Sequence, residues 1–201
     1  MVKHDLEAPE GTEKYIERLY AVHQSTLSLT ESEISLVQFS DSVVMATEFN
    51  KDKFLDFIKI IATYQCSLFS QGILSRGGIA YGRHFYQDGF MFSLGLIEAY
   101  KLESTAAKNP RILVSSDLIE LLYPEKQLSP DIPILKENDG MFFIDFLASA
   151  ERNEIERNLK TIEHGIKNPK TTIREKNLWL GEYIKYKFPD LAIQINKFSG
   201  V

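Results

Sequence analysis

The chain has 201 residues, 44% of them hydrophobic, and a net charge of -5 with a pI near 5.5. That length makes one domain of ordinary size, or one with an appendage, and the apolar fraction can fill a core. The acidic balance argues against a general nucleic-acid or membrane-surface binder, and no apolar run approaches the roughly 20 residues needed to cross a bilayer. The start, "MVKHDLEAPEGTEKY", is polar and shows no signal peptide, so the chain is expected in the cytoplasm with neither nucleic acid nor membrane as partner. Its one cysteine, Cys66, cannot staple the fold and reads as a small buried hydrophobe.

In chain order, Pro9 and Gly11 read as breakers, and Thr12 with Glu13 opens a helix with Ile16, Leu19, Tyr20 and Val22 at helical spacing. "ISLVQFSDSVVMATEF" is rich in β-branched and aromatic residues and predicts two strands, Ile34–Phe39 and Ser42–Glu48, joined by a tight turn around Asp41. "DKFLDFIKIIATYQCSLFSQG" predicts an amphipathic helix capped by Asp52 and stopped by Gly72. A strand Arg76–Tyr86, a turn at Gln87-Asp88-Gly89 and a short strand Phe90–Phe92 follow. "LGLIEAYKLESTAAK" predicts a helix ended by Asn109-Pro110. "RILVSS" reads as a buried strand and "DLIELLY" as a short helix capped by Ser116 or Asp117. A loop marked by Pro124, Pro130 and Pro133 leads to a last strand in "GMFFIDFL", then to two amphipathic helices.

Hairpins alternating with helices predict an α+β fold, one mostly antiparallel sheet with helices on one face. The expected division is an α+β domain over 1–150 and a helical extension over 151–201.

Two stretches invite chemistry. Asp41 interrupts two apolar segments, where an acid is costly to bury without compensation. It reads either as a turn residue making local hydrogen bonds or as a metal ligand. "SRGGIAYG", Ser75 to Gly82, is neither a P-loop nor a Rossmann fingerprint; its glycines imply a close backbone approach, to a ligand or to a helix. The four histidines are scattered, without the spacing of a zinc site.

Taken in order, "VQFSDSVVMA", "SRGGIAYGRHF", "LGLIEAYKLES" and "PRILVSSDLI" resemble segments of class III nucleotidyl cyclases. The likeness is nearest to the bacterial group that includes the pyrimidine cyclases of Pycsar anti-phage defence, and "LWL" in "REKNLWLGEY" fits the same group. The resemblance spans about Ile34 to Tyr183 and implies a ferredoxin-like cyclase core acting as a homodimer with its sites at the interface. The implied reaction converts a nucleoside triphosphate, a pyrimidine among the possibilities, into a cyclic nucleotide with Mg²⁺ or Mn²⁺ bound. It also implies roles: Asp41 as metal ligand, Lys101 in place of the family's transition-state arginine, and Phe39, Ser40, Arg76, Ile97 and Lys136 as substrate-binding residues. Glu103 and Arg111 recur in the motifs and read equally as structural ion-pair partners.

Three departures stand out. Val37 occupies the purine-selecting position, and Ile97 replaces the asparagine that orients ribose. The family's first acid, on an N-terminal strand of the type "F-x-D-I-L-G-F", has no counterpart, Asp5 being a poor substitute. The expectation is therefore a chain short of one strand and one carboxylate. A catalytically inactive cyclase-like domain that binds nucleotide or only dimerises is the alternative.

Overall fold

Pro9, expected as a breaker, instead opens the first helix, α1 (Pro9–Leu29). In the first turn its missing N–H removes no intrahelical bond, and its fixed φ suits a helix start. The structure, a computed structural model, describes residues 9–29, 34–88, 90–125, 127–193 and 195; Asp5 and His4 lie outside them, as does Gly89 of the expected turn.

After α1 comes a hairpin of β1 (Ile34–Phe39) and β2 (Ser42–Thr47), paired antiparallel from Ile34 opposite Thr47 to Phe39 opposite Ser42. Ser40 and Asp41 alone form its loop, and Ser40 carries the positive φ, 55°, that a two-residue hairpin turn requires. Val43 and Met45, two apart on β2, lie against a small core of Leu19 and Val22 from α1, Tyr64 and Leu68 from the next helix, and Ile73.

That helix, α2 (Lys51–Ser70), is capped two residues earlier than expected. Asn50 accepts from the Asp52 N–H at 2.9 Å, while Asp52 sits in the first turn, where its charge favours the helix dipole. Gly72, at φ 72°, follows as the stop. Cys66 is buried in α2; burial, helped by the charge of Glu154, pushes its thiol up to about 11, the state of an inert packing residue.

The expected strand Arg76–Tyr86 does not run through. It divides into β3 (Gly77–Ile79) and β4 (His84–Gln87), which belong to different sheets. The reason lies in α3 (Leu94–Ala106). A Cβ built on Gly78 would stand 2.3 Å from the Ala99 carbonyl oxygen, and one on Gly82 would stand 2.5 Å from the Gly95 nitrogen. Main chain is pressed on main chain at both points, so the segment bends over the helix rather than continuing in one ladder. The close approach left open by the glycines is thus to a helix.

β4 pairs antiparallel with β5 (Phe90–Ser93) as a separate two-stranded arm, and β5 runs straight into α3. Ser93 caps α3 by accepting from the Leu96 N–H at 3.0 Å, and the Leu94 N–H donates to the Arg83 carbonyl at 2.8 Å. Next come β6 (Ile112–Val114), α4 (Ser116–Leu122), β7 (Ile134–Lys136), β8 (Phe142–Ile144), α5 (Arg152–Ile166) and α6 (Thr171–Lys187). The cap of α4 is Ser115, one residue before the expected position. β7, expected as loop, is a strand of three residues pairing with β8.

The fold is α+β, but the strands do not make one antiparallel sheet. They form two separate hairpins and a four-stranded mixed sheet in the order β3-β6-β8-β7, where β3 and β6 are parallel and the remaining pairs antiparallel. A parallel pair needs a long crossover, which the β4–β5 arm and α3 supply. The main core joins this sheet to α2, α4, α5 and α6: Ile58, Leu113, Ile119, Ile144, Ile155, Leu180 and Ile184 are all fully buried in it. The helices of the 151–201 segment share that core. No helix among the described residues is long and apolar enough to cross a membrane.

Candidate functional site

Asp41 ends the β2 face that carries Val43 and Met45, at the second position of the hairpin loop. It is half-buried there rather than enclosed between the strands. The tight-turn position holds, and the carboxylate is only partly withdrawn from water, so its burial costs less than that of an enclosed acid. Tyr15 of α1 lies nearby: burial raises its phenol pKa and the Asp41 charge raises it further, with Arg18 opposing. Arg18 does not pair with the acid. Its guanidinium donates to the Gln71 carbonyl at 2.7 Å and the Lys14 carbonyl at 3.2 Å. Among the described residues the Asp41 carboxylate has no hydrogen bond or ion pair. Beside it, Phe39 is exposed, and the carbonyl of Ser40 accepts from the Gln38 amide at 3.3 Å.

The other residues singled out in the sequence fall on three elements. Arg76, just ahead of β3, spends its guanidinium on α3, with Nε 2.8 Å from Glu103 and one terminal nitrogen donating to the Ala107 carbonyl at 3.1 Å. Glu103 is buried, so this pair ties the start of β3 to the end of α3, and the ion-pair reading of Glu103 holds. Ile97 and Lys101 lie one turn apart on α3, both exposed. Lys101 meets Glu98 at 2.7 Å, with about 60% of its side chain in water. Such a pair contributes little to stability and leaves the ammonium free to move. Lys136 ends β7, exposed, its Nζ 5.3 Å from the centre of the Phe142 ring.

Within one chain, no hydrogen bond or ion pair among the described residues joins Asp41 to Arg76, Lys101 or Lys136. No group of three or more His, Cys, Asp or Glu side chains among them is arranged to hold a metal ion. One carboxylate does not fit a two-cation site, so no chemistry routed through two metals is derived for the described residues.

Of two polar networks, the sequence offered only Arg111 as an ion-pair partner; its partners and the whole of the second network escaped it. Arg111, 3% exposed, bonds to Glu137 and to Asp139 on the turn between β7 and β8. Trp179 of α6 donates its indole N–H to both oxygens of Glu137, at 2.9 and 3.0 Å. Burial pushes the Asp139 carboxyl up, but the Arg111 hydrogen bond, the Met141 N–H and the Arg111 charge outweigh it and hold the group below its usual value. In the second network Asp145 accepts from the Tyr183 hydroxyl and from Lys187 at 2.6 Å. Burial, then the Asp145 charge and hydrogen bond, raise the tyrosine far above its usual pKa. The available signal was an arginine placed directly before an apolar strand, "PRILV", with an acidic turn, "KENDG", ahead of another. Both networks read as structural clamps holding α6 and the β7–β8 turn to the sheet.

Compared with known proteins, the chain matches no family model, no curated protein and no solved structure. What the fold and these residues define is an α+β domain with a carboxylate at a hairpin turn that has no hydrogen bond or ion pair among the described residues, and an exposed lysine paired with Glu98 on α3.

Proposed function

We propose that the protein is a nucleotidyl cyclase with a ferredoxin-like class III core, acting as a homodimer. It would convert a nucleoside triphosphate, a pyrimidine one among the candidates, into a 3′,5′-cyclic nucleotide. The observation that carries this reading is the half-buried Asp41 carboxylate, left without a hydrogen bond or counter-charge among the described residues, in a chain whose motif order resembles that family. A partly desolvated acid of this kind is the group a divalent cation, Mg²⁺ or Mn²⁺, compensates.

In the reaction the ribose 3′-oxygen loses its proton and bonds to the α-phosphorus. The bond from that phosphorus to the β-phosphate oxygen breaks, and pyrophosphate leaves. Lys101, on the exposed side of α3, is the group proposed to meet the developing phosphate charge from the second subunit. Lysine brings a point charge, where arginine would bring a two-pronged fork.

The test is an assay of all four nucleoside triphosphates with Mn²⁺ and with Mg²⁺, read as cyclic product. Product should form from at least one of them and disappear in Asp41→Ala. Thermal melting adds an activity-independent readout: Mn²⁺ should raise the melting temperature of the native chain and not that of Asp41→Ala. Equal shifts in both proteins, or none in either, remove Asp41 as a ligand.

Lys101→Ala should lower turnover on the order of a hundredfold with little change in thermal stability, since the side chain is exposed. Full activity in that variant would make Lys101 a solvated helix residue. Absence of product from every substrate would favour the second reading, a catalytically inactive cyclase-like domain. The lack of a counterpart to the family's first acid is the main support for that alternative.

A further inference from the structure

Among the described residues, four buried side-chain polar atoms have no hydrogen-bond partner, and three of them belong to residues that meet where β3 and β6 begin: Gln65 Oε1, Ser75 Oγ and Arg111 Nε. Gln65, on α2, is 2% exposed, and its amide nitrogen donates to the Ser75 carbonyl at 3.3 Å and to the Pro110 carbonyl at 3.4 Å. The Gly77 N–H donates to the Arg111 carbonyl at 3.3 Å, which draws the same two segments together. The two carbonyls fix the Gln65 amide, because turned over its oxygen would face two acceptors. Oε1 is therefore directed away from them with its acceptor capacity unused. The Arg111 guanidinium is held through its two terminal nitrogens, on Glu137 and Asp139, which leaves the Nε–H as an unpaired donor on a buried side chain. Buried polar atoms are rarely left unpaired, because each then forfeits its bond to water without a replacement.

We infer that Gln65 Oε1, Ser75 Oγ and Arg111 Nε together bind one internal water molecule, which joins α2 to the starts of β3 and β6. The donor set selects this ligand. The Nε–H can only donate, so a metal cation does not fit; Gln65 Oε1 can only accept, so an anion does not fit either. Water does both: it accepts from Arg111, donates to Gln65 and bonds the Ser75 hydroxyl in either sense. Three contacts to otherwise unpartnered groups is the usual complement of a buried water. The guanidinium charge is already met by Glu137 and Asp139, so the ligand need carry none. A direct bond from the Ser75 hydroxyl to Gln65 is the competing arrangement, and it would leave the Arg111 Nε–H unpaired. The inference is independent of the proposed reaction.

A crystal structure that resolves ordered water, together with water-edited nuclear magnetic resonance on the isotope-labelled full chain, tests it. The crystal should show one water oxygen about 3 Å from all three atoms. In solution the Arg111 Nε–H should give a cross-relaxation peak to water whose sign marks a residence longer than about a nanosecond. Gln65→Met should abolish that peak. Because this change also removes both amide bonds to the main chain and can prevent folding, Ser75→Ala is the second variant. It keeps those bonds and takes away one contact of three, so the peak should fall about twofold and persist. An unchanged peak in Ser75→Ala would show that the hydroxyl is no ligand, and its complete loss would show that the signal came from the exchanging hydroxyl proton itself. Either result would overturn the inference. So would a peak that survives in folded Gln65→Met, a crystal in which Ser75 Oγ bonds Gln65 Oε1 directly, or one in which the Arg111 Nε–H meets a protein acceptor.

Discussion

Gly78→Ala should destabilise the protein by about 3 kcal/mol or more, the upper end of what a single added methyl does in a packed region. Its new Cβ would fall 2.3 Å from the Ala99 carbonyl oxygen and 3.2 Å from the Leu102 Cβ. The obstacle is helix backbone, which cannot rotate away as a long side chain would. Relief requires β3 and α3 to separate, and that strains the Arg76–Glu103 pair that joins them. Gly77→Ala is the internal control. Its Cβ would meet only the Ile112 side chain, at 3.4 Å, an ordinary contact, so the cost should stay below about 1 kcal/mol. Urea unfolding followed by circular dichroism measures both. Similar midpoints for the two variants would show that β3 does not press on α3 as described.

Arg111→Ala should cost about 3 kcal/mol, the lower end for breaking a buried pair, because the acids it faces are partly in water. The guanidinium is 3% exposed and spans Glu137 and Asp139. Its loss leaves two carboxylates side by side and frees the turn between β7 and β8. A pH signature accompanies it. Asp139 is held below its usual carboxyl value in the folded state, so the linked stability is present above the unfolded pKa of about 4 and is lost as pH falls through the lower folded value. In the native protein stability should therefore fall on acidification below about pH 4, and that part of the slope should shrink in Arg111→Met. Denaturant midpoints taken between pH 3 and 6 for both proteins decide it; parallel curves would detach Asp139 from the effect.

How much of this could be read from the residues varies with the range of the interaction. The β1–β2 hairpin was legible nearly to the residue, because two apolar segments meet at a polar loop too short for anything but a turn. The helices α2, α3, α5 and α6 were legible from apolar spacing and from stops such as Gly72, whereas the caps Asn50 and Ser93 were not read. β7 was not: three residues after Pro133 carry no periodicity, and only pairing with β8 makes them a strand. The separation of β3 from β4 depends on α3 lying across the segment, a contact between residues about 20 apart that local propensity does not encode. The candidate site divides in the same way. The turn position of Asp41 is local and was readable. The commitment of Arg76 to Glu103, and of Arg111 to Glu137 and Asp139, is set by which chain segments the fold brings together.

Trp179 is the sole tryptophan of the chain, and its place gives the protein a built-in optical gauge. The indole lies 5.6 Å from the Phe143 ring and 5.4 Å from the Tyr183 ring, with its N–H on Glu137. One side of the fluorophore thus belongs to the sheet, one to its own helix, and its polar end to the β7–β8 turn. Its emission therefore follows a single mechanical event, α6 lifting from β8, with no second indole to blur the signal. If that helix peels away before the sheet melts, tryptophan fluorescence will change at lower denaturant than circular dichroism at strand wavelengths; if the protein melts as one body, the two curves will coincide.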